Sequence, residues 1–258
     1  MRLKEAAGWN QTAIDWQNLL QIAPETCFGL ECDGVLAATT TAVCYEHRLA
    51  WIGMVLTDPA YRRRGFAHRL VEHAIQALTA RQTDWIKLDA TEMGAAVYRQ
   101  MGFEPECGIE RWGAVAGQAR SLPDLSWHDR GSVLDREAFG ADRSGLLAVL
   151  APLGAATIAN AGYAMARPGS EAAYFGPCVG RRPETAEELL AWFLGGHAGK
   201  PVYWDLLPHN AEAARLARTL GFTPIRRLVR MIRPGKPGAA PLACDDSQVF
   251  ATAGFEFG

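Results

Sequence analysis

In the stretch Met54–Leu78, MVLTDPAYRRRGFAHRLVEHAIQAL, an apolar strand runs into a basic turn, and an amphipathic helix starts straight after it. Arg62, Arg63 and Arg64 precede Gly65, and Phe66, Leu70, Val71, Ala74, Ile75 and Leu78 then fall on one helical face. The first amides of a helix have no intrahelical partner, and the macrodipole is positive at that end. Glycine carries no side chain to keep anionic oxygens off the backbone. A turn of this kind beside three arginines suits a pyrophosphate.

A second block lies downstream. Residues Trp85–Phe103, WIKLDATEMGAAVYRQMGF, predict a strand, a helix and a Gly102-Phe103 ending, with Tyr98 four residues before the glycine. In these two blocks the chain resembles the GNAT superfamily of N-acetyltransferases. The family motif for the acetyl-CoA pyrophosphate is Gln/Arg-x-x-Gly-x-Gly/Ala. Here it is Arg62-x-x-Gly65-x-Ala67, approached by Pro59-Ala60-Tyr61-Arg62.

The resemblance implies acetyl-CoA as cosubstrate; separately, the six histidines are scattered, so no metal is expected. Arg62, Arg63, Arg64, Gly65, Phe66 and Ala67 would hold the pyrophosphate. The backbone of Val55 and Leu56 would pair with the pantetheine amides like an added strand. Tyr98 would stand near the sulfur as general acid. Asp89, at a strand end, is the candidate base; Glu46, His47, Glu92 or a water chain are alternatives. Trp9, Trp16 and Trp51 suit either an acceptor pocket or a core. Gly8-Trp9-Asn10-Gln11 reads as a loop and N-cap before a helix over Gln11–Gln21, on the acceptor side.

The rest of the first half predicts strands at Cys27–Cys32, Val35–Tyr45 and Leu49–Leu56, with a hairpin turn at Asp33-Gly34. Gly53, inside a nearly all-apolar strand, marks a bulge or a close backbone approach. A helix is predicted at Gly94–Met101, and a strand near Cys107–Trp112 completes this half. The expected organisation is an N-terminal domain over 1–115, a linker over 116–131 and a C-terminal domain over 132–258. The fold class is α/β of the α+β type: two GNAT-like domains, each a mixed, splayed central sheet flanked by helices.

The two domains are read as a repeat. At an offset of 119, Trp85 aligns with Trp204, Gly102-Phe103 with Gly221-Phe222, Pro105 with Pro224 and Arg111 with Arg230. Gly53 aligns with Gly176 only at 123, so the second strand-to-helix turn is expected to be four residues shorter. By these offsets Glu184 replaces Gly65 and Ala217 replaces Tyr98. The second domain therefore reads as degenerate, and in Gly8-Trp9-Asn10-Gln11, Asp15-Trp16 and Leu88-Asp89-Ala90-Thr91 the chain resembles a bacterial tandem group of the family. It would cover the acceptor cleft or bring two chains together as a homodimer.

Composition narrows the function. The chain has 258 residues, is 49 % hydrophobic and 21 % charged, and carries a net charge of −2, which gives no electrostatic reason to expect nucleic acid. No run is long enough for a membrane span, and the start is unlike a signal peptide, so a cytoplasmic location is expected. The six cysteines lack metal-type spacing and read as free thiols. The leading expectation is acetyl transfer from acetyl-CoA to a primary amine of a small molecule. Acetylation of a protein amine and non-catalytic acyl-CoA sensing are the alternatives.

Overall fold

The computed structural model describes residues 1–117, 125–128 and 131–258. In chain order the elements are α1 (Arg2–Ala6), α2 (Ala13–Ile22), β1 (Cys27–Cys32), β2 (Val35–Tyr45), β3 (Leu49–Thr57), α3 (Phe66–Ala80), β4 (Trp85–Ala90), α4 (Glu92–Gln100) and β5 (Glu104–Val115). They continue with α5 (Gly131–Phe139), α6 (Ser144–Leu150), β6 (Ala155–Ile158), β7 (Gly162–Arg167), β8 (Ala173–Gly180), α7 (Pro183–Gly196), β9 (Pro201–Leu206), α8 (Ala211–Thr219), β10 (Thr223–Pro234) and β11 (Val249–Ala251). The expected linker lies outside the described residues at 118–124 and 129–130.

Two compact units result, and they do not follow chain order. The first comprises Met1–Glu106, Val229–Leu242 and Phe255–Gly258; the second comprises Cys107–Leu228 and Ala243–Gly254. In the first unit the sheet order is β1-β2-β3-β4-β10, and in the second β5-β9-β8-β7-β6. β3 and β4 are parallel, as are β8 and β9, while the other pairs within each unit are antiparallel.

The final strands are exchanged. The sequence reading gives the strand at Cys107–Trp112 to the first half. Instead, β5 pairs with β9 from Glu110 opposite Leu206 to Val115 opposite Pro201. β10 completes the first unit, with Val229 opposite Ala90 and Pro234 opposite Trp85. Each exchanged strand feeds its new core. Met231 packs with Ile52, Val71, Ile86, Leu88 and Phe103, and Trp112 packs with Phe175, Phe193, Trp204 and Phe222.

Local signals account for most element ends. Asp33 and Gly34, at φ +54° and +75°, make the hairpin turn between β1 and β2. α2 is capped by Thr12 with Asp15, whose Oδ2 accepts from the Thr12 amide at 2.6 Å. The cap is thus Thr12, not the preceding Gly8–Gln11 segment. Asn210 caps α8 by accepting from the Ala213 amide, as Thr91 caps α4 by accepting from Gly94.

The repeat is real but its register differs from the sequence alignment. Ala50 opposite Ile86 corresponds to Ala173 opposite Val202, which sets β4 against β9 at an offset of 116. Trp85 and Trp204 are therefore not equivalent, whereas Asp89 and Asp205 are. Eight residues, Asp58–Gly65, join β3 to α3, but only Arg181 and Arg182 join β8 to α7. The buried faces of the two helices nevertheless match at an offset of 119, Leu70 with Leu189, Val71 with Leu190 and Ala74 with Phe193, so the expected gap of four from the strands at 123 holds and α7 simply starts two residues earlier in that register. Glu184 falls inside α7, and the helix-capping position of Gly65 is held by Arg182. The alignment of Tyr98 with Ala217 keeps its offset, because α4 and α8 match at 119.

Candidate functional site

The site in the first unit begins where two strands part. β3 pairs with β4 only at Leu49, Ala50 and Trp51. On its other edge β3 stays paired with β2 as far as Thr57. An extra residue enters β3 between the pairs Thr41–Gly53 and Thr39–Leu56, and Met54 there is left-handed at φ +49°. This is a β-bulge, which bends a strand and re-aims the residues beyond it. Thr39 and Thr40 donate from β2 to the carbonyls of Met54 and Gly53 at 2.9 and 3.3 Å, which fixes the bend. The edge of β3 carrying Val55 and Leu56 is left facing the gap, and no strand among the described residues pairs with it there.

The basic turn comes directly after this edge. Asp58 accepts from the Ala60 amide at 2.8 Å and forms an ion pair with Arg2. Arg63 and Gly65 both take positive φ, +63° and +75°. The left-handed region is uncommon for a side chain as bulky as arginine, so the turn holds a conformation that local sterics disfavour. Gly65 is the N-cap of α3, and no side chain caps the helix there. The first-turn amides of α3 are thus left for a ligand, and Arg62, Arg63 and Arg64 beside them are exposed. Arg64 lies over the Tyr61 ring at 5.0 Å, and Tyr61 stacks on Phe66. An uncapped N-terminus, a left-handed glycine and adjoining guanidinium groups fit a pyrophosphate. Val55, Leu56 and Arg62–Ala67 are therefore brought together as one continuous edge and turn.

Tyr98 lies on α4, edge-on to Phe103 with ring centroids 6.1 Å apart, against the core under α3. Its hydroxyl has no hydrogen-bond partner among the described residues. Burial pushes its pKa from the ordinary 10 up to about 12. The phenol is neutral at physiological pH and keeps its proton available.

Asp89 stands differently from the expectation. Its side chain is fully buried, and Arg230 donates to both carboxylate oxygens, at 3.0 and 3.3 Å. A carboxylate held this way has both of its oxygens committed to one guanidinium. Asp89 is a structural anion, and the base assignment is corrected. Glu46 and His47 sit in the turn between β2 and β3, at the end of β3 opposite the gap. With about 3.3 Å per strand residue, that is roughly 20 Å from Val55.

The opposite face of β3 carries a set of groups that the sequence reading missed. Ala50 and Ile52 face the core under α3. Trp51 and Gly53 face the chain's own tail. Trp51 donates from Nε1 to the Phe255 carbonyl at 3.2 Å, and Tyr45 donates to the Phe257 carbonyl at 2.6 Å. A methyl added at Gly53 would lie 2.8 Å from the Glu256 Cα. Gly53 thus marks both a bulge and a close approach. Glu256 is 1 % exposed, and Gln11 donates to its Oε2 at 2.9 Å. The sequence signal was a single carboxylate inside the apolar run Val249–Phe257. Trp51 is fully buried beneath the tail. Trp16 instead lines a small cavity with Leu3, Lys4 and Thr39, about 140 Å³ in volume.

The equivalent gap in the second unit is filled. β8 parts from β9 after Phe175, and an extra residue again enters it, between the pairs Ala166–Phe175 and Ala164–Cys178. On the vacated edge β11 pairs antiparallel, Val249 opposite Val179 and Ala251 opposite Cys178. Those two β8 residues are the counterparts of Leu56 and Val55. The Asn210 amide donates to the Val249 carbonyl at 3.0 Å and holds the plug in place. Pro183 at the start of α7 has no amide proton to offer, and Glu184 comes next. Ala217, counterpart of Tyr98, is wholly buried. Among the described residues no group of three His, Cys, Asp or Glu side chains is placed to hold a metal, and no helix is long and apolar enough to cross a membrane.

Comparison with known proteins agrees with this geometry. Residues 4–103 match the family described as Acetyltransferase (GNAT) family, and residues 132–251 match that described as Acetyltransferase (GNAT) domain. No curated protein matches the sequence. Among solved structures, a proposed acetyltransferase of Pyrococcus horikoshii superposes with a TM-score of 0.85 at 19 % identity, covering 99 % of this chain and 90 % of that one. A GCN5-related N-acetyltransferase from Sphaerobacter thermophilus gives 0.64 at 17 %, covering 94 % and 92 %. A tandem GNAT protein from the clavulanic acid biosynthesis pathway gives 0.59 at 16 %, covering 88 % and 89 %. At these identities the structural likeness speaks for the fold.

Proposed function

The chain belongs to the GNAT superfamily, with two such domains in tandem, and from that premise we propose that its first unit transfers an acetyl group from acetyl-CoA to a primary amine of a small molecule. One observation carries this reading. The open edge of β3 at Val55 and Leu56 runs without interruption into an uncapped, arginine-flanked helix start. That is a continuous track for an amide-bearing arm ending in a pyrophosphate.

Acetyl-CoA, the cosubstrate of this family, supplies the thioester whose C–S bond breaks as the new C–N bond forms. The protein's part is to hold, orient and manage protons. The Val55 and Leu56 backbone fixes the arm, and fixing two reactants together can supply several kcal/mol of the barrier, roughly 7–11 at most. An ammonium acceptor loses two protons overall. One ends on the sulfur, for which the neutral Tyr98 hydroxyl is the donor, and one leaves to solvent. A positioned acid of this kind contributes roughly 10²–10⁴-fold.

The second unit is a partner without turnover in this reading, its gap being occupied by β11. The test is CoA thiol release from acetyl-CoA across a panel of primary amines, with products identified by mass. Tight acetyl-CoA binding with no thiol released by any amine would favour a sensor, and acetylation only of polypeptide amines would favour the protein-directed alternative.

A further inference from the structure

We propose that the second unit carries a binding site of its own for a small carboxylate with a flat apolar body, held between the C-terminal end of α7 and the turn joining β7 to β8. The site belongs to the unit whose cofactor gap is plugged, and it does not depend on the acetyl-transfer reading.

Three observations carry the proposal. The first is a cavity of about 630 Å³ at the starts of β8 and β9, walled by the end of α7, the β7–β8 turn and Gly154. That volume lies in the range of small-molecule sites. The cavity borders Ala173, the first residue of β8, whereas β11 covers the edge of β8 at Cys178 and Val179. Five strand residues separate the two places, roughly 16 Å. The cavity is therefore not the counterpart of the cofactor gap.

The second observation is that the first unit seals the matching place. There the Trp85 amide donates to the Arg48 carbonyl at 3.1 Å and the Asp84 amide to the His47 carbonyl at 2.7 Å, which closes the β2–β3 turn onto the start of β4. By the strand registers, Pro201 stands at the place of Trp85 and Lys200 at that of Asp84. Proline has no amide proton to donate. The Lys200 amide goes instead to the His197 carbonyl at 2.9 Å. Neither closing bond has its donor in the second unit. The β7–β8 turn is also longer, with five residues, Pro168–Ala172, against three between β2 and β3. Leu78, wholly buried at the end of α3, gives way to His197 in the matching register of α7.

The third is the chemistry of the wall. In the first unit the Asp84 carboxylate pairs with Arg48 and Lys236. Its counterpart Lys200 reverses the sign, and its ammonium has no ion-pair partner among the described residues. The half-buried Trp192 likewise has no acceptor for its indole N–H among them. The other polar groups are engaged. Arg167 donates to the Ala253 carbonyl at 2.8 Å and lies 4.0 Å over the Tyr174 ring, and Glu171 accepts from the Tyr203 hydroxyl at 3.2 Å. His197 donates from Nδ1 to the Phe193 carbonyl at 2.8 Å, and its ring lies 4.5 Å from that of Phe193, centre to centre. With Arg167 and Lys200 set against Glu171, the lining carries one net positive charge. An aromatic wall with an uncommitted cation and an uncommitted N–H matches an anion that has acceptor oxygens and a flat apolar body. An amine of the same shape meets the wrong sign, and an alcohol leaves the lysine charge unmatched.

The test is a ligand-observed NMR titration of the full chain saturated with CoA. The probes are benzoate, phenylacetate and indole-3-acetate. Benzyl alcohol and benzylamine test the charge, and inorganic phosphate tests charge without an apolar body. Wild type is expected to bind the aryl carboxylates over all three controls. Lys200→Gln should weaken that binding by roughly 5- to 10-fold, the scale of one charge-assisted hydrogen bond in a half-open site. Gly196→Leu should abolish it, because Gly196 lines the cavity and a Cβ added there meets nothing within 4 Å, so the new side chain takes up the ligand's space. CoA affinity and Tm should not change in either variant. Should Gly196→Leu lower Tm, the exposed Lys200 carries the test alone. Carboxylate binding unchanged in a folded variant overturns the proposal. So does wild type that binds no aryl carboxylate, that prefers the amine or the alcohol, or that binds phosphate as tightly.

Discussion

Arg230 on β10 clasps both carboxylate oxygens of Asp89 on β4, Nε to Oδ1 at 3.0 Å and Nη2 to Oδ2 at 3.3 Å, across 141 residues of chain. Arg111 on β5 holds Asp205 on β9 in the same bidentate way, at 2.7 Å for both bonds. Each pair ties an exchanged strand to the sheet it completes. Arg230 also stacks on Trp51, 4.5 Å from the ring centre. Removing the arginine leaves a buried carboxylate with its main cationic partner gone, which costs about 3–5 kcal/mol. Arg230→Met should therefore lower the stability of the full chain by that amount in urea denaturation. A loss below about 1 kcal/mol would show that Asp89 finds compensation elsewhere.

The strand exchange has a sharper consequence. A fragment ending at residue 115 lacks β10, so the far edge of β4, Asp89 and the core position of Met231 all lose their partners. An unpaired apolar edge invites aggregation. Residues 1–115 expressed alone should show no cooperative melting transition and should elute as aggregate. A monomeric fragment with a sharp thermal transition would mean that β10 is dispensable to the first unit.

Cofactor stoichiometry depends on the two gaps. The β3 edge is open at Val55 and Leu56, while the equivalent β8 edge is paired with β11. Calorimetry should give one CoA per chain. Gly65→Glu should abolish that binding without loss of fold, because it sets a carboxylate beside the pyrophosphate and forces a bulky residue to φ +75°. Two equivalent sites, or unchanged affinity in a folded Gly65→Glu protein, would place the pyrophosphate elsewhere.

How far the sequence carried depended on whether a signal was local. The turn Arg62–Ala67 and helix α3 are short-range patterns: the helix spans Phe66–Ala80 as read, and Gly65 stands at its N-cap in the left-handed region. The exchange of β5 and β10 is not local. The two strands carry the same Gly-Phe approach, and Arg111 and Arg230 occupy equivalent positions, so nothing in the pattern of either says which sheet it joins. The identity of Trp85 and Trp204 misled the register by three residues, because Leu207, Pro208 and His209 extend the connection between β9 and α8. Asp89 read as a base because a carboxylate at a strand end looks available until its partner is seen. The packing of Glu256 on β3 was invisible, since Gly53, which it lies against, is far from it along the chain.

Tyr98 gives the most direct test of chemistry. Burial holds its pKa at about 12, above the ordinary 10, so the folded chain favours the neutral phenol. The sign is that of a raised acid. The stability this contributes is fully present below about pH 10 and is lost as pH rises toward 12. Across pH 7–9 the hydroxyl therefore stays protonated, and any change in rate over that range has another origin. Tyr98→Phe keeps the ring against Phe103 and removes only the proton donor. A free thiol has a pKa near about 8.5, so the thiolate leaves tolerably without help, and the expected loss in kcat is roughly 10–10³-fold. Acetyl-CoA affinity should be unchanged, and the loss should shrink at lower pH as solvent supplies the proton. The measurement is kcat against pH for both proteins with one amine acceptor. Equal kcat values throughout would reduce Tyr98 to a packing residue and leave the leaving thiolate to be protonated by solvent alone.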